Sequence, residues 1–281
     1  MLLTECPRDA MQGLTRFIPT ADKIRYLNAL LRVGFDTLDF GSFVSPKAVP
    51  QMQDTAEVLA GLDLTTTRSK LLAIVANQRG AEQAVSYEAI RYVGFPLSVS
   101  ETFQRRNTNK SIQDALDEVA AMQVRCQQAD KELVVYLSMG FGNPYGDPYS
   151  AELVLDFTKQ LVDLDIRHIV PSDTVGTATP EAIDSLFDQL ADAFPHHSFG
   201  VHLHARPGEA PAKVRAAVRA GVGQLDGAIG GLGGCPMAAD VLTGNLPTEA
   251  IIATLGTLAI AIDLDMDAFA EAVLLARTIL W

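Results

Sequence analysis

The sequence predicts an α/β fold, a TIM (β/α)8 barrel with an additional C-terminal helix. Short apolar runs rich in β-branched residues alternate eight times with longer amphipathic segments, in a chain of 281 residues. Eight such units are many for an open doubly wound sheet, and no glycine-rich dinucleotide-binding turn follows the first strand. The hydrophobic fraction of 48% supports a large core, and we expect one domain over residues 1–281.

Each predicted strand is a short apolar run that is bounded by turn-forming residues. Helices are recognised by apolar residues at helical spacing and by the residues at their ends: Gly34 is a typical C-cap, while Ser111, Ser150 and Thr179 are typical N-caps. The strands are expected at residues 2–6, 36–43, 70–76, 90–99, 133–139, 167–171, 198–204 and 223–228. The helical segments are expected at residues 20–34, 111–130, 150–164, from Thr179 onward, 208–221 and 266–281.

The composition bounds the partners and the compartment. A net charge of −12, without a cluster of Lys and Arg, argues against nucleic acid but leaves room for an anionic substrate bound by a few local arginines. Three cysteines are too few for a disulfide framework, and the sequence shows neither signal-peptide features nor a long apolar run. We therefore expect a cytoplasmic protein without membrane partners. A homodimer is the usual symmetric assembly, and the last helix would cap the barrel or form a subunit contact.

The chemically useful residues gather where the predicted strands end, which is where barrel active sites lie. Each has an ordinary structural explanation when taken alone, such as an ion pair, a packed histidine or a tight turn, but their joint placement favours a site. By strand, they are Arg8, Asp9 and Gln12 after the first, Asp39 and Ser42 in the second, Arg105, Arg106 and Asn107 after the fourth, Asp173 and Thr174 at the sixth, His202 and His204 in the seventh, and Cys235, Asn245 and Glu249 after the eighth.

His202 and His204 are the most informative pair, because residues two apart on a strand point to the same face. At the C-terminal end of a barrel strand, this spacing offers two imidazoles to one metal ion. Asp9 and Asn245, beside the first and eighth strands, complete a set of four ligands. Mixed oxygen and nitrogen ligands suit Mg²⁺ or Mn²⁺ better than a closed structural zinc site.

The chain resembles the 3-hydroxy-3-methylglutaryl-CoA lyase family, within the metal-dependent lyase and condensing-enzyme barrels. The resemblance extends over nearly the whole chain, and the segments SFVSPKAVPQM and GLGGCP are specific to the lyase branch. The matching stretches are PRDAMQ (7–12), SFVSPKAVPQM (42–52), NTNKS (107–111), SDTVGTATP (172–180), VHLH (201–204), GGLGGCP (230–236) and GNLPTE (244–249).

The resemblance implies a role for each matching residue. Asp9, His202, His204 and Asn245 match the metal ligands, and Arg8 matches the arginine that faces the thioester carbonyl. Cys235 matches a cysteine on a glycine-rich loop that closes over the site. The resemblance also implies catalytic roles for Asp39 and Asp173, and the substrate would be bound by Gln12, Ser42, Asn107, Arg105, Arg106, Thr174 and Glu249.

The implied reaction is cleavage of 3-hydroxy-3-methylglutaryl-CoA, or a related 3-hydroxyacyl-CoA, to acetyl-CoA and acetoacetate or a related oxo acid. The metal would acidify the substrate hydroxyl, and a base, either Asp39 or a histidine near the metal, would remove its proton. Arg8 would stabilise the enolate that leaves, and Cys235 would protonate it or relay the proton.

The chain departs from the family at three positions. Ala205 stands where the lyases usually have an acid, which removes a carboxylate that would orient the metal site. Thr15 stands where they usually have a lysine for CoA phosphates, so that Arg16, Arg105 or Arg106 would take its place. Asp39 replaces a glutamate. These changes leave two further hypotheses open: an aldolase or condensing acyltransferase that acts on a 2-oxo acid, and a binding protein without activity.

Overall fold

Eight parallel strands close into a barrel in the order of the chain, in a computed structural model that describes residues 1–234 and 243–281. The barrel closes where β1 pairs with β8, with Leu2 opposite Gln224 and Glu5 opposite Gly227. This closed order excludes the open sheet and confirms the predicted fold. The strands are β1 (Leu2–Glu5), β2 (Thr37–Ser42), β3 (Lys70–Ile74), β4 (Ile90–Ser98), β5 (Glu132–Ser138), β6 (His168–Asp173), β7 (Gly200–Leu203) and β8 (Gln224–Gly227).

The helices surround the barrel, and all six predicted helical segments are present. The sequence did not single out the five other α-helices in the described part of the chain, each of which has at most ten residues. In chain order they are α1 (Pro7–Gln12), α2 (Thr20–Val33), α3 (Thr55–Ala60), α4 (Gln78–Val85), α5 (Glu101–Thr108), α6 (Ile112–Gln128), α7 (Ala151–Asp163), α8 (Pro180–Ala193), α9 (Ala210–Arg219), α10 (Thr248–Thr257) and α11 (Met266–Leu280).

The core has two parts. The larger part lies between the strands and the helices, and a smaller one inside the barrel is built on Leu72, Val134 and Val170. Above this inner layer, toward the C-terminal ends of the strands, the interior side chains become polar, as at Asp39 and His202. The apolar layer therefore supports a polar cavity at that end of the barrel.

Helix α11 packs along α2 on the outside of the barrel. The ring of Phe269 meets Phe35 edge-on at 6.3 Å, and the backbone N–H of Asp265 donates to the carbonyl of Val33 over 3.0 Å. Leu274 and Trp281 remain mostly exposed on this helix. Among the described residues, no helix has both the length and the apolar character that crossing a membrane requires.

Glu5 is a buried carboxyl group at the junction of β1 and β8. It accepts the backbone N–H of Ile229 over 2.8 Å and the hydroxyl of Thr248 over 2.6 Å. Burial nevertheless raises the pKa of Glu5 from 4.5 to about 8. The folded protein therefore holds a proton on Glu5 at neutral pH, and this proton is lost on unfolding.

We expect Glu5→Gln to stabilise the protein increasingly as pH rises. The pKa of Glu5 is raised in the folded state, so its favourable contribution is fully present below pH 4.5 and is lost as pH rises toward about 8. Glutamine avoids this loss, which is on the order of a few kcal/mol. Thermal unfolding of both proteins between pH 5 and pH 8.5 measures the difference, with the exposed Glu57→Gln as the control. A difference in unfolding temperature that does not change with pH would contradict this assignment.

Candidate metal centre and active site

A cavity of about 490 Å³ opens at the C-terminal ends of the strands, where the sequence predicts the active site. Strands, their following loops and the end of α5 all contribute to its wall. The predicted residues that line it are Arg8, Asp9, Gln12, Asp39, Ser42, Arg106, Asn107, Thr174, His202 and His204.

Three predicted residues lie elsewhere. Asp173 is fully buried behind the cavity wall, where its carboxylate accepts the N–H groups of Thr177 and Ala178 over 2.8 and 3.0 Å. Arg105 points outward on α5 and forms an exposed ion pair with Glu101. Glu249 accepts the N–H of Gly230 and thereby fixes the turn after β8. The structure thus places these three side chains away from the cavity wall, and their predicted roles in catalysis and substrate binding stay predictions.

Asp9, His202 and His204 form a compact cluster of candidate ligands. One nitrogen or oxygen atom from each lies within 4.8 Å of the other two. The Nε2 atoms of the two histidines are 3.3 Å apart. Two ring nitrogens at this distance require a proton or a cation between them, because their lone pairs otherwise repel.

Asn245 joins this cluster through its amide. The Nδ2 group donates to Oδ2 of Asp9 over 2.5 Å and to the carbonyl of Leu232 over 2.8 Å. This orientation is fixed, because a flipped amide would set its oxygen against two other oxygens. Within residues 1–234 and 243–281, the buried Oδ1 atom has no hydrogen-bond partner. An unpartnered buried oxygen beside a carboxylate and two imidazoles fits a divalent cation that prefers oxygen and nitrogen ligands.

The backbone explains why these four residues meet. Asp9 lies in the first turn of α1, directly after β1, and His202 lies opposite Asp226 in the pairing of β7 with β8. Beyond residue 243 the chain returns antiparallel to the end of β7, where Asn245 forms a bridge with His204. His202 and His204 thus come from β7 and the residue after its end, whereas Asn245 comes from the segment after β8 and Asp9 from the helix after β1.

Both histidines are oriented by a hydrogen bond at Nδ1. That of His202 lies 3.2 Å from Oδ2 of Asp226, and that of His204 lies 3.0 Å from the carbonyl oxygen of Thr174. With the proton held at Nδ1, each Nε2 is free to accept a metal ion. We expected that alanine at position 205 would deprive the metal site of a carboxylate that orients it. The two histidines are instead oriented by Asp226 and Thr174, so the presence of Ala205 leaves them fixed.

The charges of the cluster match the needs of metal ligands. Burial raises the pKa of Asp9, but Arg8 and the two histidines outweigh it and bring the pKa to about 2. Burial, together with the charge of His202, lowers the pKa of His204 to about 4. Burial also acts to lower the pKa of His202, but Asp226 raises it above the usual value. Asp9 is therefore ionised and His204 neutral at neutral pH.

Arg8 connects the metal cluster to Asp39. Its Nε and Nη2 atoms donate to Oδ2 of Asp39 over 3.0 and 2.7 Å, and its Nη1 atom donates to Asp9 over 3.1 Å and to Gln12 over 2.8 Å. Burial raises the pKa of Asp39 to about 6 against the opposing effect of Arg8. Asp39 is ionised at neutral pH, and its shorter side chain still reaches the guanidinium.

We expected Arg16, Arg105 or Arg106 to replace the lysine that the family usually has at the position of Thr15. Of these three arginines, Arg106 borders the cavity. Its guanidinium carbon lies 5.1 Å from the ring centroid of Tyr145. Arg16 instead donates to the carbonyl of Ile279 over 2.6 Å, and Arg105 is paired with Glu101. Arg106 is thus placed for an anionic group at the cavity rim.

Lys213 is a residue near the site that the sequence analysis missed. Its buried ammonium group donates to the carbonyl of His204 over 2.6 Å and to Oδ2 of Asp173 over 3.1 Å. A signal was present, since Lys213 lies at helical spacing from the buried residues Ala210, Val214 and Ala217 of α9. A lysine on a buried helix face requires a partner, and here the partners hold the backbone of a candidate ligand.

We expect Lys213→Met to weaken metal binding by about tenfold, because the carbonyl of His204 and the carboxylate of Asp173 both lose their cation. The affinity for Mn²⁺ would be measured by electron paramagnetic resonance, below the temperature at which the variant unfolds. Lys159→Met, which breaks an exposed pair with Asp163, is the matched control and should bind Mn²⁺ as the wild type does. Wild-type affinity in folded Lys213→Met would show that Lys213 does not position His204.

Cys235 lies outside the described residues, so its predicted role remains a prediction.

Asp226 is the other residue that the sequence analysis missed. It lies opposite His202 in neighbouring strands, and its side chain is fully buried. The carboxylate that orients one candidate ligand therefore comes from the strand next to it.

Comparisons with known proteins identify the relatives of this chain. The model of the HMGL-like family matches residues 2–275. The hydroxymethylglutaryl-CoA lyase YngG of Bacillus subtilis is 35% identical over 249 residues, which are 88% of this chain and 81% of that protein. A Pseudomonas aeruginosa protein, 3-hydroxy-3-isohexenylglutaryl-CoA/hydroxy-methylglutaryl-CoA lyase, is 33% identical over 95% of this chain and 88% of its own length. Among solved structures, an HMG-CoA lyase from Acinetobacter baumannii in complex with coenzyme A and 3-methylmalate gives a TM-score of 0.92. It is 28% identical and covers 100% of this chain and 91% of that one.

Proposed function

This chain belongs to the HMGL-like family, and we propose that it is a metal-dependent carbon–carbon lyase that cleaves 3-hydroxy-3-methylglutaryl-CoA to acetyl-CoA and acetoacetate. The observation that carries this proposal is the placement of Arg8. The guanidinium is hydrogen-bonded to Asp9 in the candidate metal cluster and to Asp39, and all three side chains line one cavity. A metal ion and an arginine held beside it can together stabilise the negative charge of the departing enolate.

Asp9, His202, His204 and Asn245 would hold the metal, which we propose to be Mg²⁺ or Mn²⁺. When bound, the metal supplies Lewis acidity, which lowers the pKa of a substrate hydroxyl and polarises an adjacent oxygen. The residues around the centre are already arranged for this, because Thr174 and Asp226 hold both imidazoles with Nε2 toward it. The centre needs little reorganisation in order to act.

The proton transfers and the stabilisation of the enolate are assigned to other residues of this chain. Asp39, which lines the cavity, is the candidate for removing the hydroxyl proton, because both ring nitrogens of His202 are already engaged, Nδ1 with Asp226 and Nε2 at the metal centre. A pKa of about 6 suits Asp39 to general base catalysis near neutral pH. Arg8 faces the thioester carbonyl and stabilises the enolate oxygen after the C–C bond breaks. Protonation of the enolate carbon is assigned to Cys235 on the resemblance alone.

The cavity rim is proposed to bind the CoA portion of the substrate. Arg106 would bind a phosphate group, and Asn107 and Ser42 line the approach to the centre. Gln12 and Thr174 complete the polar wall beside Arg8 and His204. Arg105 and Glu249 have no part in this proposal, because their side chains do not line the cavity.

We also propose that residues 1–281 form one domain, as the family match over residues 2–275 supports. The proposed assembly is a cytoplasmic homodimer that binds an acyl-CoA and has no nucleic acid or membrane partner. The net charge of −12 supports the absence of nucleic acid. Neither alternative function is favoured by an observation: the relatives are named as lyases, and the cluster of Asp9, His202 and His204, which Asn245 contacts, supports a metal-dependent lyase.

The test is release of acetoacetate from 3-hydroxy-3-methylglutaryl-CoA by the purified protein. We expect turnover on the order of 1–10³ s⁻¹ with Mg²⁺ or Mn²⁺, and its loss with a chelator. Release of pyruvate from a 2-oxo acid substrate would favour the aldolase hypothesis instead. Bound metal without turnover on a panel of acyl-CoAs would overturn the proposed lyase activity.

A further inference from the structure

A second cluster of potential ligands lies next to the candidate metal centre and shares His202 with it. Cys6, His202 and Asp226 each offer one ligand atom, and these atoms lie within 4.8 Å of one another. Cys6 follows β1 directly, and Asp226 lies in β8, the strand paired with β1. Both side chains are 1% exposed, yet Cys6 borders the cavity. A small ion could therefore reach the thiol from the cavity.

The two ring nitrogens of His202 face different clusters. Its Nε2 atom lies 3.3 Å from Nε2 of His204, in the cluster with Asp9 and Asn245. Its Nδ1 atom lies 3.2 Å from Oδ2 of Asp226, in the cluster with Cys6. The first cluster offers oxygen and nitrogen atoms, whereas the second also offers sulfur. The two clusters should therefore prefer different metal ions.

The surroundings of Cys6 favour a cation. Burial raises the pKa of the Cys6 thiol well above its usual value, and the negative charges of Asp226, Asp39 and Asp9 raise it further. The same field that disfavours a bare thiolate attracts a doubly charged ion, which then stabilises the thiolate. The ring of Tyr136 meets His202 edge-on at 5.9 Å, and its buried hydroxyl has no hydrogen-bond partner in the described part of the chain.

We propose that Cys6, Asp226 and Nδ1 of His202 form a second cation site that takes a thiophilic divalent ion such as Zn²⁺ or Cd²⁺. Binding releases the thiol proton of Cys6 to solvent and moves the imidazole proton of His202 from Nδ1 to Nε2. The Nε2–H group then points into the first cluster, which loses a ligand. Occupation of the second site therefore excludes Mg²⁺ or Mn²⁺ from the first, and thiophilic ions inhibit the protein by this route.

The test follows the ultraviolet charge-transfer band that appears when a thiolate binds Cd²⁺, in protein stripped of metal. The chain contains three cysteines, so each can be removed in turn. We expect the band in the wild type, in Cys126→Ser and in Cys235→Ser, and its loss in Cys6→Ser. The double variant Cys126→Ser/Cys235→Ser leaves Cys6 as the sole thiol and should keep the band, which tests the site even if Cys6→Ser does not fold.

Competition with Mn²⁺ tests the exclusion without an activity assay. In the wild type and in the double variant, Cd²⁺ should displace bound Mn²⁺, as read by electron paramagnetic resonance. In Cys6→Ser the Cd²⁺ concentration needed for displacement should rise at least about tenfold, because the softest ligand is lost. A band that persists in Cys6→Ser, that is absent from the double variant, or that coexists with undisplaced Mn²⁺ would overturn the proposal. None of these outcomes depends on which substrate the protein cleaves.

Discussion

Replacing His204 by alanine is expected to abolish binding of Mg²⁺ or Mn²⁺ and, with it, lyase turnover. His204 is 3% exposed, and its Nε2 atom faces His202 and Asp9 across the candidate centre. Removal of a residue that merely orients a ligand costs about 10–100-fold in affinity, so removal of a ligand should cost more than about 100-fold. Direct titration of the metal-free protein with Mn²⁺ measures this loss.

The matched control is His196→Ala. His196 is exposed in the turn between α8 and β7, at the opposite end of the barrel. Its removal should leave the Mn²⁺ affinity unchanged, so that a general effect of losing an imidazole is excluded. Wild-type Mn²⁺ affinity in a folded His204→Ala protein would remove the proposed ligand set altogether.

The barrel was predictable because its signal repeats. Each strand is a short apolar run and each long helix has an apolar stripe, and all eight strand boundaries were predicted to within two residues. The short helices span too few turns for such a stripe to be recognised in the sequence. Helix α5, with the sequence ETFQRRNT, buries only Phe103 and Gln104, and its start depends on a hydrogen bond from the N–H of Phe103 to Ser100. A helix of this length is marginal on its own and forms because of its tertiary contacts.

The candidate ligands were predictable for a different reason. The C-terminal ends of barrel strands converge, so Asp9, His202 and His204 could be placed together from their positions alone. Which of two adjacent arginines enters the cavity could not be predicted. Consecutive helical residues point about 100° apart, and the rotation of α5 about its axis decides that Arg106 lines the cavity while Arg105 faces solvent.

The residues that position the candidate ligands could not be predicted from the sequence either. Asp226 and Lys213 each appear there as a single polar residue in a largely buried pattern, which is compatible with many roles. Their function depends on the group that each one contacts. Asp226 lies 3.2 Å from Nδ1 of His202, and Lys213 lies 2.6 Å from the carbonyl of His204. A backbone carbonyl leaves no trace in the sequence, so the contribution of Thr174 to His204 could be found only in the structure.

Arg8→Lys is expected to lower kcat by about 10²–10³-fold while changing the Mn²⁺ affinity by less than about tenfold. Lysine keeps the positive charge beside Asp9, so the metal ligand stays ionised. The ammonium group is a single point, however, and cannot reproduce the fork that joins Asp39, Asp9 and Gln12. The enolate oxygen would lose a donor whose position five hydrogen bonds now fix.

Comparison with an exposed arginine separates position from charge. Arg25→Lys, on the outer face of α2, makes the same chemical change at an exposed ion pair and should leave kcat, KM and Mn²⁺ affinity as in the wild type. In Arg8→Lys the loss should fall on kcat more than on KM, because the guanidinium acts on charge that develops in the transition state. An equal loss of Mn²⁺ affinity and kcat would assign Arg8 to the support of Asp9. A turnover like that of the wild type would mean that a positive charge at this point suffices, whatever its geometry.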